Sequence, residues 1–75
     1  MNMNLVHADV LLPDQLMEGD IIRIEDENGE QLVEVRSIHM TMSGGYLVEV
    51  VNDFGETTEI RFGEEATIDL YVYLD

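Results

Sequence analysis

Carboxylates are the most frequent groups in this chain that could do chemistry, because 17 of its 75 residues are aspartate or glutamate. Pairs of carboxylates carry out glycoside hydrolysis and aspartic proteolysis. Both reactions need an enclosing cleft, which a domain this small rarely builds alone. With so many acids, close pairs also arise by chance. The carboxylates therefore predict no catalytic residue.

Two short stretches have some of the ligands of a metal site. The run 25–30 (Glu-Asp-Glu-Asn-Gly-Glu) has the oxygens and the glycine of a calcium loop, but Ile24 and Val35 occupy the positions of its first and last ligands. His7 and Asp9 are spaced to share one face of a strand, yet zinc needs more convergent ligands than these. We predict neither a metal site nor a cofactor.

Nucleophilic and phosphate-binding motifs are also missing from the sequence. The chain has no cysteine, and Ser37 and Ser43 do not lie in the glycine-flanked turn that exposes a nucleophilic serine. The run Ser43-Gly44-Gly45 is a turn signal without the lysine of a phosphate loop. We therefore expect a protein without enzymatic activity.

Net charge is the strongest signal in the composition. Three arginines and no lysine oppose the 17 acids, for a formal net charge of -14. Such a field repels nucleic acids and anionic membranes and attracts cationic surfaces. We expect no direct binding to nucleic acid or membrane, and a protein partner with a basic surface.

The length of the chain and its ends limit the expected number of domains and the expected location. Residues 1–75 are expected to form one domain with a small core, which a homodimer would help to stabilise. No stretch approaches the 18 or so apolar residues of a membrane span. The start, Met1 to Asn4, lacks the features of a secretory signal, and cysteine is absent, so we expect a soluble cytoplasmic protein.

Alternation of apolar and polar residues with period two recurs along the chain, whereas helical periodicity is poor. Turn signals separate the alternating runs at short intervals. This pattern is typical of an all-β fold, and we predict a small five- to six-stranded antiparallel barrel or sandwich.

The first predicted hairpin turns at Asn28-Gly29, the strongest two-residue hairpin signal, which favours a type I′ turn. Closing the turn between Glu27 and Glu30 sets the register. The predicted cross-strand pairs are Ile24 with Val33, Ile22 with Val35, and Arg23 with Glu34. Apolar residues then meet on one face and opposite charges on the other.

The second predicted hairpin has the three-residue loop Asp53-Phe54-Gly55, with glycine at the left-handed position. The predicted inner-face pairs are Val50 with Thr58, Val48 with Ile60, and Tyr46 with Phe62. On the outer face, Glu49 lies directly opposite Glu59, and this like-charge pair should be mildly destabilising.

The two ends of the chain are predicted to complete the sheet. A first strand over residues 4 to 11 has one apolar side, formed by Val6, Ala8 and Val10. A last strand over residues 67 to 74 has four inward and three outward side chains. The inward residues are Ile68, Leu70, Val72 and Leu74, and the outward residues are Asp69, Tyr71 and Tyr73.

The segment Leu16-Met17-Glu18-Gly19-Asp20-Ile21-Ile22-Arg23-Ile24 resembles the start of the second strand in many SH3-like small barrels, where an apolar residue and Gly-Asp precede an alternating strand. The resemblance implies an SH3-like barrel. It carries no functional residues, because many unrelated functions share this fold.

Two surfaces are candidates for partner binding. The outward acids are Glu25, Glu34, Glu49, Glu59 and Asp69. The second surface is the stripe Asp69-Tyr71-Tyr73-Asp75, since tyrosine is frequent in interfaces.

Two hypotheses of function follow from these surfaces. The acidic surface predicts inhibition or regulation of a basic, nucleic-acid-binding protein by imitation of DNA. In size, acidity and lack of motifs the chain resembles the host-takeover and counter-defence proteins of phages and mobile elements. The alternative is a structural or adaptor module that assembles through edge strands or through the face of Tyr71 and Tyr73.

Overall fold

The computed structural model describes residues 4–74, and its secondary structure is one antiparallel sheet with a single 3₁₀ turn. The strands are β1 (Asn4–Leu11), β2 (Ile21–Asp26), β3 (Gly29–Met40), β4 (Tyr46–Val51), β5 (Thr57–Phe62) and β6 (Ile68–Leu74). The 3₁₀ turn is Pro13–Gln15, between β1 and β2. The predicted all-β, antiparallel fold of five to six strands is confirmed, with six strands.

The strand order in the sheet is β1-β6-β2-β3-β4-β5. Strands β2 to β5 form a meander of neighbouring hairpins, and β6 returns to insert between β1 and β2. Within residues 4–74, β1 and β5 do not pair, so the sheet is open and these two strands form its edges.

One face of the sheet, called the core face below, carries the buried side chains. The fully buried ones are Ile22, Val35, Val48 and Val50, each at most 1% exposed. No helical layer covers them in the described chain, so the sheet must curl over its own face to exclude water. Leu16, from the segment between β1 and β2, packs into the same cluster.

Two bulges shape the sheet. In β3 the pairing with β4 shifts between Val35 and Ser37, and in β1 the pairing with β6 shifts between His7 and Asp9. A bulge bends its strand and increases the local twist. The bulge at Arg36 lets the twelve residues of β3 pair with β2 at one end and β4 at the other.

The β2–β3 hairpin forms where predicted, but the predicted register is wrong by two residues. Asp26 pairs with Gly29, so the tip is Glu27-Asn28. Gly29 has φ +105°, and Asn28 has no positive φ, so a type I′ turn does not form. The Asp26 carboxylate accepts a hydrogen bond from the Asn28 backbone N–H at 2.8 Å, which stabilises this tip.

A shift of two residues preserves the faces of both strands. Ile22 therefore stays on the core face, where it lies opposite Val33. The predicted pair of Arg23 with Glu34 does not form, because Arg23 lies opposite Leu32.

The β4–β5 hairpin confirms the predicted register at every pair. Val50 lies opposite Thr58, Val48 opposite Ile60, Tyr46 opposite Phe62, and Glu49 opposite Glu59. Gly55 has φ +80°, as the predicted loop requires. The Asn52 side-chain oxygen accepts hydrogen bonds from the N–H groups of Phe54 and Glu56 and holds the loop closed.

The predicted inner faces of the end strands are only partly right. In β1 the bulge reverses the alternation, so Val10 is 50% exposed and Leu11 packs against the core instead. In β6, Ile68 and Leu70 contact the core, but Val72 and Leu74 are exposed. The reason is that β6 pairs with β2 only through Tyr71 and Leu70 among the described residues, so its end runs past the core.

Candidate functional site

The outer face is the side of the sheet opposite the core face. Strand alternation and the observed registers place all seven predicted site residues on it. They are Glu25, Glu34, Glu49, Glu59, Asp69, Tyr71 and Tyr73. Asp75, the last residue of the predicted tyrosine stripe, lies outside the described residues.

Asp69 is engaged in an ion-pair cluster rather than free. Its carboxylate oxygens lie 2.7 Å from Arg23 Nη2 and 2.9 Å from His7 Nε2. Arg23 Nη1 also donates to Glu30 Oε1 at 3.0 Å. The hydrogen bond from Arg23, and then that from His7, lowers the pKa of Asp69. The bond to Asp69, and then the charge of Glu30, raises the pKa of Arg23.

His7 is engaged on two sides, by the Asp69 carboxylate and by the ring of Tyr71. The two rings meet edge to face, with centroids 5.5 Å apart and planes at 87°. Asp9 does not share this face, because the bulge at Ala8 separates it from His7, and its carboxylate accepts the N–H of Val10. In residues 4–74 no three His, Asp or Glu side chains converge as metal ligands.

Glu49 and Glu59 form a like-charge pair on the outer face. They lie directly opposite each other on β4 and β5, and Ser37 flanks Glu49 on β3. Within the described chain, neither carboxylate has a hydrogen bond or an ion pair with a protein group. Since like charges directly opposite each other destabilise a sheet, this pair is a cost to the fold.

The tip of the β2–β3 hairpin adds a second group of acids. Glu25 lies opposite Glu30, and Asp26 and Glu27 follow at the turn. Arg23 neutralises Glu30, so Glu25 and Glu27 remain without an ion pair in the part of the chain that the structure describes. Glu34, in the middle of β3, is exposed and is likewise without an ion pair there.

The tyrosines border an apolar strip that the sequence analysis missed. Tyr73 is 49% exposed and lies opposite Leu5. With neighbouring apolar side chains it lines a shallow groove of about 430 Å³ in which Glu34 is the central acid. We call these apolar residues the outer strip: Leu5, Ile21, Leu32, Val51, Phe54 and Tyr73.

Adjacent apolar residues were the sequence signal for the outer strip. Ile21-Ile22, Leu32-Val33 and Val50-Val51 each place one apolar side chain on each face of the sheet. Continuous apolar runs are typical of strands covered on both faces. In this structure one face is the core and the other is open.

The core face also has an open end, between β2 and β5. A groove of about 250 Å³ lies there, with an apolar floor that includes Val33, Ile60 and Phe62. Glu25, Asp26 and Glu56 stand at its rim. The groove exists because β2 and β5 do not pair.

Comparison of the chain with protein-family models, with curated proteins and with solved structures finds no match in any of the three. Residues 4–74 include no helix of the length and apolar character needed to cross a membrane.

Proposed function

We propose that this protein is a non-enzymatic, acidic binding protein that inhibits or regulates a basic, nucleic-acid-binding partner by presenting carboxylates in place of phosphates. The observation that carries the proposal is the opposed pair of Glu49 and Glu59, which forms no ion pair within residues 4–74 although it costs stability. A charge arrangement that opposes folding is expected where it serves binding.

The scaffold suits such a role. Neighbouring strands lie about 4.8 Å apart, so acids on adjacent strands form a closely spaced, rigid array. Glu34, Glu49 and Glu59 occupy three successive strands, β3, β4 and β5. Asp69 contributes less than the sequence suggested, since it already forms an ion pair with Arg23 and a hydrogen bond with His7.

The mechanism is competition for a nucleic-acid site. Lysines and arginines of the partner bind the carboxylates of the outer face and are no longer available to phosphates. Long-range attraction by a chain of charge -14 speeds the encounter at low salt, and added salt weakens it. The proposal has three further parts. The protein resembles small phage counter-defence proteins, it folds as an SH3-like barrel, and it acts in the cytoplasm.

The test is affinity capture from lysate of the source organism or its host, read by mass spectrometry after low-salt and high-salt washes. The wild type is compared with Glu34→Lys/Glu49→Lys on the outer face. The matched control is Glu18→Lys/Glu65→Lys, which makes the same change in net charge at exposed loop positions.

A basic nucleic-acid-binding protein should be captured at low salt, be shed at high salt, and lose its nucleic acid when the wild type is added. The outer-face variant should lose this partner and the control should keep it. Equal capture by both variants would show that charge on the outer face does not carry binding.

The alternative function is an adaptor that binds through the outer strip and the neighbouring Tyr71. Its support is the apolar groove that Leu5, Leu32 and Tyr73 help to line, with Tyr73 itself 49% exposed. Binding through this surface should survive high salt and be lost in Tyr73→Ser. Tyr73 is the cleaner target of the two tyrosines, because Tyr71 also packs against His7 in the fold.

A further inference from the structure

Strand β5 is a regular edge strand, and its two charged side chains, Glu59 and Arg61, have opposite signs. It pairs with β4 through six consecutive residues and has no bulge, proline or glycine. The other edge, β1, is interrupted by its bulge next to Asp9. Natural sheets interrupt, charge or cover their edges to prevent unwanted pairing. A regular open edge such as β5 is available to another strand.

The hydrogen-bond pattern shows which groups of β5 face the open side. The Asn52 N–H donates to the Glu56 carbonyl at 3.0 Å next to the loop. Bonded and non-bonded pairs alternate along an antiparallel ladder, so Thr58, Ile60 and Phe62 bond to β4. The backbone groups of Thr57, Glu59 and Arg61 therefore point away from the sheet.

The β3–β4 hairpin gives an independent check on this alternation. There the Thr41 N–H donates to the Gly45 carbonyl at 2.8 Å. By the same alternation along β4, the backbone groups of Leu47 and Glu49 bond to β3. The backbone groups of Tyr46, Val48 and Val50 therefore bond to β5. The two hairpins agree.

We propose that β5 pairs with β5 of a second copy of this chain, antiparallel and about a two-fold axis at Ile60. In this register Glu59 lies opposite Arg61 of the second copy, and Arg61 lies opposite Glu59 of the second copy. Both are bonded pairs that use the outward backbone groups. The edge is self-complementary in charge and hydrogen bonding, as an isologous interface requires.

Neighbouring registers are excluded by charge and by geometry. A slip of one residue would place the outward backbone groups of one copy opposite residues of the other copy that already bond to β4. It would also place core-face side chains of one copy beside outer-face side chains of the other. A shift of two residues in either direction places Glu59 opposite Glu59, or Arg61 opposite Arg61. Like charges directly opposite each other disfavour both.

The proposed pairing also relieves two unfavourable features of the single chain. The guanidinium of Arg61 from the second copy meets Glu59, the carboxylate that opposes Glu49. On the core face, Ile60 meets its own copy and Phe62 meets Thr58. The two open grooves, each with Ile60 and Phe62 in its floor, are then joined.

This inference does not depend on the proposed function. The dimer extends the sheet across both copies and gives Glu59 a cation, but it leaves Glu34 exposed and Glu49 half-buried on each outer face, neither with a new ion pair. The residues tested here, Glu59, Ile60 and Arg61, differ from those of the capture experiment. Failure of one proposal therefore leaves the other standing.

The first test measures mass by sedimentation equilibrium over a concentration series, at an ionic strength of about 0.15 M, where repulsion between the two acidic copies is screened beyond about 8 Å. The wild type should form a concentration-dependent dimer. Glu59→Arg and Arg61→Glu should each weaken it by roughly tenfold or more, because each creates two like-charge pairs.

An equimolar mixture of Glu59→Arg and Arg61→Glu should restore dimerisation, since every opposed pair is then complementary. Arg36→Glu is the matched control for Arg61→Glu, with the same charge change at an exposed position away from β5, and should dimerise like the wild type. A monomeric wild type at its highest soluble concentration would overturn the proposal. So would a dimer unaffected by both single changes, or two variants that do not recombine.

A cross-linking test checks the register itself. The chain has no cysteine, so Ile60→Cys introduces a single thiol on the proposed axis. Residues of a non-bonded pair have Cα atoms about 4.5 Å apart, within the range of about 4.4–6.8 Å that a disulfide spans. Mild oxidation should link Ile60→Cys into a covalent dimer and leave Thr58→Cys, opposite Phe62, unlinked. Equal linking of both would contradict this register.

Discussion

Replacing Glu49 by glutamine should stabilise the protein. Glu49 faces Glu59 directly across β4 and β5, and neither carboxylate forms an ion pair within residues 4–74. Glutamine keeps the size and polarity of the side chain and removes its charge. The change therefore isolates the repulsion between the two carboxylates.

The size of the stabilisation follows from the distance between the side chains of Glu49 and Glu59. Opposed side chains in a sheet lie about 5 Å apart, where two unit charges in water repel by about 0.8 kcal/mol. Screening at about 0.15 M salt reduces this by about half. We expect a gain of about 0.4–0.8 kcal/mol in the free energy of unfolding. For a chain of 75 residues this raises Tm by about 3–5 °C.

The assay is thermal unfolding followed by circular dichroism at a concentration where the protein is monomeric. The control is Glu65→Gln, which removes one charge from an exposed loop and so measures the general benefit of a lower net charge. The excess stabilisation of Glu49→Gln should fade at about 1 M salt, where the screening length is about 3 Å. If Glu49→Gln melts no higher than Glu65→Gln at low salt, the pair carries no local repulsion and the reasoning is wrong.

Two further predictions concern the cluster around Asp69 and the core. Because the hydrogen bonds of Arg23 and His7 lower the pKa of Asp69, its stabilisation is complete above the ordinary value of 3.8 and is lost as the pH falls through the lowered pKa. The difference in Tm between wild type and Asp69→Asn should therefore shrink below pH 3.8, and an equal difference at neutral and acid pH would contradict this. Ile22→Ala removes a fully buried side chain and should cost about 2–5 kcal/mol in chemical denaturation. Ile21→Ala, one residue away on the outer face, should cost clearly less, and equal losses would mean that the two faces are wrongly assigned.

Local signals accounted for much of this fold. Alternation of apolar residues located the strands and, where no bulge interrupts a strand, their faces, since side chains in a regular strand alternate with period two. The Asp53-Phe54-Gly55 loop also determined the β4–β5 register, because glycine at the left-handed position defines the loop length. The opposed pair of Glu49 and Glu59 followed directly from that register.

The neighbouring hairpin shows where local signals stop. Asn28-Gly29 predicted the turn, but the observed register differs from the predicted one by two residues. At the observed tip the Asp26 side chain bonds to the Asn28 N–H, and Gly29, but not Asn28, has a positive φ. Both registers bury the same face, so the hydrophobic pattern cannot distinguish them. The choice depends on hydrogen bonds at the tip, which the sequence pattern does not rank.

Long-range features depended on the tertiary structure. The insertion of β6 between β1 and β2 brings Asp69 to Arg23 and His7, residues 46 and 62 positions away in the chain, and so turns a predicted binding acid into part of an ion-pair cluster. The sequence by itself determined that the seven predicted site residues lie on the outer face, and with them the excess of acid there. Only the tertiary structure decided which of those acids are neutralised and which strand edge stays open, because both depend on partners that chain folding brings together from distant positions.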